Sequence, residues 1–345
     1  MNVITGRFQN NYDFLRLFAA FCIAFTHSFN LLHLNDLEPL MSFSGNRYDF
    51  SFIGLSIFFC VSGYLITKSG CTSKSFVHYC WKRFLRIQPL LILVCILTVL
   101  LIGPLYTSFE ITDYFANPAT WSYFRNIFPA TGIQFTLPGV FEKNIAEKSV
   151  NGSLWTLIVE ERLYLFMGLL FLVKHKKKYF VYLVLGINLF YLCRGIFFPD
   201  KITTYLNGSH VFYAMLFLNS GVLYLLNVDF SNLKRQKYWL IIIPVTIVCM
   251  VWPDLNFLLV FVIPFCVIVL ANIRGVTNKA GKWGDFTYGI YIFSFPVQQI
   301  FIASGIYGGN PYVLFLETIL TVVPLAVLSW YIIEIKFLSL KNIMS

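Results

Sequence analysis

The stretch FSFIGLSIFFCVSGYLI, residues 50–66, runs for seventeen residues without a charge, and Lys68 follows almost at once. An α-helix needs about 20 apolar residues, with a range of roughly 17–25, to cross the hydrocarbon of a bilayer. This stretch therefore reads as a membrane span. Working outward, similar runs lie near 13–32, 89–106, 154–173, 179–198, 209–226, 237–252, 255–272, 286–303 and 313–334. With 50–67 they predict an all-α, polytopic integral membrane bundle of about ten transmembrane helices. The turn Trp252-Pro253-Asp254 is short, so the seventh and eighth segments either both cross or form a hairpin that stops within the bilayer. Composition agrees: 12% of the 345 residues are charged, against about 25% in a soluble domain.

The placement of the basic residues sets the expected orientation. Eighteen of the 26 fall in the loops that are cytoplasmic if the N-terminus is inside, and six fall in the opposite loops. Such a bias is the positive-inside signature, and it puts both termini in the cytoplasm. It also accounts for the net charge of +10 without a nucleic-acid partner, because the cations punctuate the spans and form no basic stripe. The first apolar run contains Arg16, so it reads as a retained span and not as a cleaved leader. A single membrane-embedded domain is expected over 11–335, with a long outer loop at 107–153 and a short cytoplasmic tail at 336–345. The aromatic run Trp121-Ser122-Tyr123-Phe124 in that loop suits the membrane surface. The eight cysteines follow no metal or disulfide pattern and read as free packing thiols. No metal site is expected, and His33, His78, His175 and His210 read as surface residues.

Ionisable groups inside spans are costly and are functional candidates by default. The first span, RLFAAFCIAFTH, holds Arg16 and His27. Eleven positions at about 100° per residue return to within about 20° of one helix face, about 16 Å apart along the axis. Snorkelling is the plain alternative for Arg16, and an inter-helix hydrogen bond for His27. The fourth span opens VNGSLWTLIVEERLYLF and carries Glu160, Glu161 and Arg162 just inside the membrane. Entering from outside, it is expected to set Glu160 at the depth of His27, as a carboxylate beside an imidazole base. Glu161 and Arg162 read as a local pair or as interface groups. In WKRFLRIQPL, Lys82, Arg83 and Arg86 precede Pro89, which is expected to open the third helix. Arg83 and Arg86 serve either as orientation charges or as a phosphate clamp. Gly54, Ser62 and Gly63 permit close helix approach or leave room for a thin ligand.

Taken together, these segments resemble acyltransferase family 3, which includes O-acetyltransferases of O-antigen and other surface polysaccharides. The resemblance runs from about 11 to 335. It rests on Arg16 and His27 with ten residues between them, on GLSIFFCVSGYLI at 54–66, RFLRIQP at 83–89, LPGVF at 137–141, SLWTLIVE at 153–160 and YGIYIFSFPVQQ at 288–299. Many members carry a His before the Phe-Pro of the last motif, where this chain has Ser294. The resemblance implies acetyl-CoA as co-substrate, with no tightly bound cofactor, and a saccharide hydroxyl, free or lipid-linked, as acceptor. It further implies a bacterial inner-membrane location. On that reading His27 and Glu160 are catalytic, Arg16, Arg83 and Arg86 bind the acyl-CoA, and Trp155, Ser62, Gly63 and Tyr291 line the acceptor pocket. His27 acts as general base or carries the acetyl group, and Glu160 orients it or binds the acceptor. Two rivals remain at this point. One is a transporter or exporter of a polar or lipid-linked metabolite, whose buried charges line a pathway. The other is transfer of a different acyl chain, or to a non-sugar acceptor.

Overall fold

The computed structural model describes residues 10–145, 148–172, 177–197, 210–228, 239–273 and 275–343. The basic residues Arg7, Lys174, Lys176, Lys201, Lys234, Arg235, Lys237 and Arg274, and also His175, lie outside the described residues.

Helices occupy the segments that apolarity marks. They are α1 (Tyr12–Asn30), α2 (Phe50–Thr72), α3 (Phe76–Leu97), α4 (Trp155–Met167), α5 (Lys177–Phe197), α6 (His210–Leu225), α7 (Trp239–Val251), α8 (Leu259–Ala271), α9 (Thr287–Ser304) and α10 (Pro311–Ser329). Two continue through a π-helical turn: α3 through Thr98–Ile102 to Tyr106, and α10 through Trp330–Glu334 to Ser339. Among the described residues, four helical stretches are long and apolar enough to cross a membrane: Phe50–Thr72, Phe76–Tyr106, Pro253–Ala271 and Pro311–Ser339. No strand occurs among the described residues, and an isolated bridge joins Thr107 to Val140. Local sequence sets the ends. Asn310 caps α10 by accepting from the Tyr312 amide at 2.9 Å, with Pro311 at the first helical position. Gly305 closes α9 in the left-handed region at φ +71°.

Two sequence expectations need correction. Pro89 does not open the third helix. Helix α3 starts at Phe76 and carries Pro89 in its interior, as spans tolerate when neighbouring groups take over the freed carbonyl. Lys82, Arg83 and Arg86 are therefore helical residues. His78 is not at the surface: it is buried on the first turn of α3, and neither ring nitrogen meets a hydrogen-bond partner.

The chain forms two compact units. The first comprises Met1–Ala19, Phe52–Tyr79 and Leu163–Trp283. In it the Asn11 amide side chain donates to Ile273 O at 2.6 Å, and Tyr12 stacks on Tyr64. At Gly63 the small-residue question resolves as packing, because the backbone carbonyl of Phe217 in α6 fills the space a Cβ would take. The second unit comprises Ala20–Ser51, Cys80–Arg162 and Gly284–Ser345. Here α9 and α10 approach closely, since a Cβ on Gly289 would lie 2.8 Å from the Ala326 methyl.

One device recurs in both units. Proline in a helix leaves the carbonyl four residues earlier without its donor. In α8, Pro264 frees Val260 O, and Asn219 Nδ2 donates to it at 2.8 Å while Asn219 pairs with Asn188. In α9, Pro296 frees Ile292 O, and Asn151 Nδ2 donates to it at 3.0 Å. Replacing Asn151 or Asn219 by Ala should each cost about 1–3 kcal/mol by leaving a buried carbonyl unsatisfied. The loss is read as earlier unfolding of the purified protein on titration with sodium dodecyl sulfate. Wild-type curves for both variants would remove this device from the account.

Candidate active site

The Asn151–Ile292 bond fixes where the SLWTLIVE segment begins. Residues Gly152–Leu154 form a 3-10 turn capped by Asn151, whose side-chain oxygen accepts from the Ser153 amide at 3.2 Å. The Tyr291 phenol donates to Ser153 O at 2.6 Å and shares a short hydrogen bond with the Thr156 hydroxyl. Gly152 is packed against Phe295, where a Cβ would meet the ring at 2.6 Å. The same ring receives the His27 imidazole in an edge-on contact, with centroids 5.3 Å apart. Thus Tyr291 is a buried clamp at the head of α4, and Phe295 joins that head to His27. Trp155 is half-buried on the first turn of α4.

Helix α1 is held firmly around His27. Gln298 is fully enclosed, and its Nε2 donates to Ala24 O and to Ser28 Oγ, each at 2.8 Å. On the other side, Thr26 Oγ1 donates to Glu38 Oε1 at 3.2 Å and accepts from the Ser51 amide at 2.8 Å. Glu38 is fully buried and also accepts from the Met41 and Phe50 amides, both at 2.7 Å. Sequence reading passed over Glu38 and Gln298. Glu38 lies in a polar loop, and Gln298 sits in a quoted motif without the charge that draws attention.

Glu160 lies on α4, five residues beyond Trp155, where it is buried within electrostatic reach of the Tyr288 and Tyr291 phenols. Glu161 accepts from Gln88 Nε2 at 2.6 Å and from the Ala130 amide at 2.8 Å, and Arg162 donates to Ala130 O at 3.3 Å. The loop at 107–153 thus packs against the first turns of α4 through Ala130.

The cations divide into two groups. Arg86 pairs with Asp285 at 2.6 Å and lies 3.9 Å from Glu334, which is buried on the π turn of α10. Lys82 lies within electrostatic reach of both Arg83 and Lys341. Trp81 anchors this end by donating to Leu340 O at 3.1 Å. Asp285, Glu334 and Lys341 were missed in the sequence. An acid inside the last span was a legible signal for Glu334. Arg16 and Ser62 belong to the first unit, where the Arg16 guanidinium lies 5.8 Å from the Phe58 ring centroid and Ser62 is buried.

The chain matches the family described as "Acyltransferase domain" over residues 9–334. It is 28% identical over 343 residues to an "O-acetyl transferase" of Shigella phage Sf6, covering 96% of each chain. It is also 28% identical over 363 residues to "Nodulation protein 10" of Rhizobium leguminosarum bv. viciae, covering 97% of this chain and 94% of that one. No solved structure matches.

The Arg86–Asp285 pair is part-buried, with side chains 16% and 11% exposed. Removing one partner thus costs at most the roughly 3–5 kcal/mol of a fully buried pair, and removing both is often near neutral. Arg86→Met should therefore lower the yield of folded protein, and Arg86→Met with Asp285→Leu should restore part of it, because Glu334 loses its neighbouring cation in both. Size-exclusion profiles of the two variants in detergent decide, and equal profiles would mean that Arg86 is not held as described.

Proposed function

The chain belongs to this acyltransferase family, and from that premise we propose that it moves an acetyl group from cytoplasmic acetyl-CoA to a hydroxyl of a saccharide at the far face of the membrane. The placement of His27 carries the reading. It is an imidazole near the outer end of α1, with the helix bonded on either side of it and its ring set against Phe295 at the head of SLWTLIVE. Acyl transfer needs a base that takes the hydroxyl proton as the bond to the carbonyl carbon forms. The names of the two relatives, an O-acetyl transferase and a nodulation protein, fit transfer onto a surface sugar.

In the proposed reaction His27 accepts the proton of the acceptor hydroxyl while that oxygen attacks the thioester carbonyl. The tetrahedral adduct collapses, the C–S bond breaks, and the departing sulfur takes the proton back from the imidazolium. The alternative course passes the acetyl group to a ring nitrogen of His27 and then to the acceptor. Lys82, Arg83 and Lys341 suit the polyanionic head of the donor, because three clustered cations favour phosphates. Arg86, committed to Asp285 and Glu334, serves to hold that end of the bundle. Arg16, eleven residues before His27, would hold the phosphate or pantetheine end of the donor. Glu160, within reach of the Tyr288 and Tyr291 phenols, would orient His27 or bind a polar part of the acceptor. The proposed setting is ten crossings of a bacterial inner membrane with both termini cytoplasmic, which the basic residues support.

Membranes holding wild type or His27→Ala are given radiolabelled acetyl-CoA and an extract of lipid-linked saccharides. Label should enter the saccharide fraction with wild type and fall to background with the variant. Equal label with both would remove His27 from the chemistry, and none with either would discard this donor and acceptor. Lys82→Ala with Lys341→Ala should raise the KM for acetyl-CoA about tenfold or more, on the scale of 1.5–3 kcal/mol for a charged hydrogen bond. The acceptor KM should not change.

A further inference from the structure

Helix α9 has two working faces. Tyr291, Phe295 and Gln298 look toward the head of α4 and toward α1. On the opposite side, Phe293, Pro296, Val297 and Ile300 wall a cleft of about 440 Å³. The other walls come from α3 with its π turn, residues 93–102, and from α10 with its π turn, residues 325–333. Two π turns bordering one cleft is unusual, since such turns are rare and tend to mark functional places.

Three properties identify what would fill it. The lining is apolar except for two hydroxyls, Thr98 and Ser329, and the Ser329 hydroxyl already donates to Ala326 O and Glu334. A sugar or a pantetheine arm with its two amides would find no partners there, whereas a hydrocarbon chain would. The rim residues Leu101, Leu328 and Ile332 are each about half exposed, so the cleft is open along the flank of the helices that hydrocarbon covers. Its volume lies in the range of about 300–1,000 Å³ typical of small-ligand sites. The cleft is also level with His27: Pro296 and Val297 line it, and Phe295, next in the chain, touches the imidazole. A single helix, about 10–12 Å across with its side chains, separates the two.

We infer that this cleft seats the hydrocarbon tail of the acceptor, so that the saccharide is acetylated while it is still attached to a lipid. The inference rests on the proposed function and deepens it. A tail held here leaves its head beyond Ile300, toward Ser304 at the C-terminal end of α9. The lipid supplies the affinity for the membrane-bound acceptor, and the sugar reaches round α9 to His27. The reaction before this one must then attach sugar to lipid, and a later one must release or transfer the acetylated saccharide.

Binding is tested apart from chemistry. Wild type, Val297→Phe, Leu328→Phe and His27→Ala are placed in phosphatidylethanolamine/phosphatidylglycerol nanodiscs and photolysed with a benzophenone-bearing prenyl-phosphate monosaccharide. A phosphatidylglycerol bearing the same photogroup serves as the comparison probe. The prenyl-linked sugar should label peptides from 93–102, 293–300 and 325–333, and His27→Ala should label as wild type does. Excluding even two methylenes from the cleft predicts about a tenfold loss of labelling in the filled variants. Leu328→Phe sits on the rim, so it keeps the test valid if Val297→Phe does not fold. Equal labelling by the phospholipid probe, or labelling that Leu328→Phe leaves unchanged, overturns the inference. Failure of acetyl transfer by wild type to any saccharide would instead overturn the proposed function and leave this binding result standing.

Discussion

Inside hydrocarbon a carbonyl without a donor costs several kcal/mol, and much of the second unit depends on how one such carbonyl is satisfied. Pro296 strips Ile292 O of its helical partner, and Asn151 replaces it. That bond ties the loop before α4 to α9. Gly152 then rests on Phe295, and Ser153 meets Tyr291 at the start of α4. A helix irregularity that would otherwise be a defect becomes the fixture on which the site is assembled.

Charge is arranged by a second economy. A tight ion pair, Arg86 with Asp285, ties α3 to the entry of α9, with Glu334 of α10 close by. Around Lys82, by contrast, the like charges of Arg83 and Lys341 are brought within reach. The loop at 107–153 has a similar division. Tyr114 is buried and donates to Val99 O on the π turn of α3 at 3.0 Å, and burial pushes its phenol up to about 12, so it remains a donor at any physiological pH. Trp121 and Phe128 in the same loop stay exposed, as a membrane-surface segment would.

Much of this was legible in the residue pattern. Long apolar runs force helices because the backbone has no other way to satisfy itself in lipid, so the helix positions followed directly. The spacing of Arg16 and His27 placed them on one stripe of α1, and SLWTLIVE and YGIYIFSFPVQQ proved to meet at Ser153 and Tyr291. What remained hidden depended on pairings across long stretches of chain. Pro89 looks like a helix start, because nothing local shows that Phe76–Gln88 is already helical. His78, in a basic segment, gives no sign of its burial. Gly63 needed its neighbour, Phe217 O, before packing and ligand space were distinguishable.

Glu38 has a consequence for how such chains can diverge. Its carboxylate gathers the hydroxyl of Thr26 and the amides of Met41 and Phe50, while Thr26 also receives the Ser51 amide. The connection between α1 and α2 is thus a loop of fixed gauge, closed at one side chain beside His27. Surface connections ordinarily absorb insertions and deletions freely. This one has almost no slack: a residue gained or lost between Glu38 and Phe50 would pull on Thr26 and turn the end of α1. Length, more than residue identity, is what evolution must preserve there.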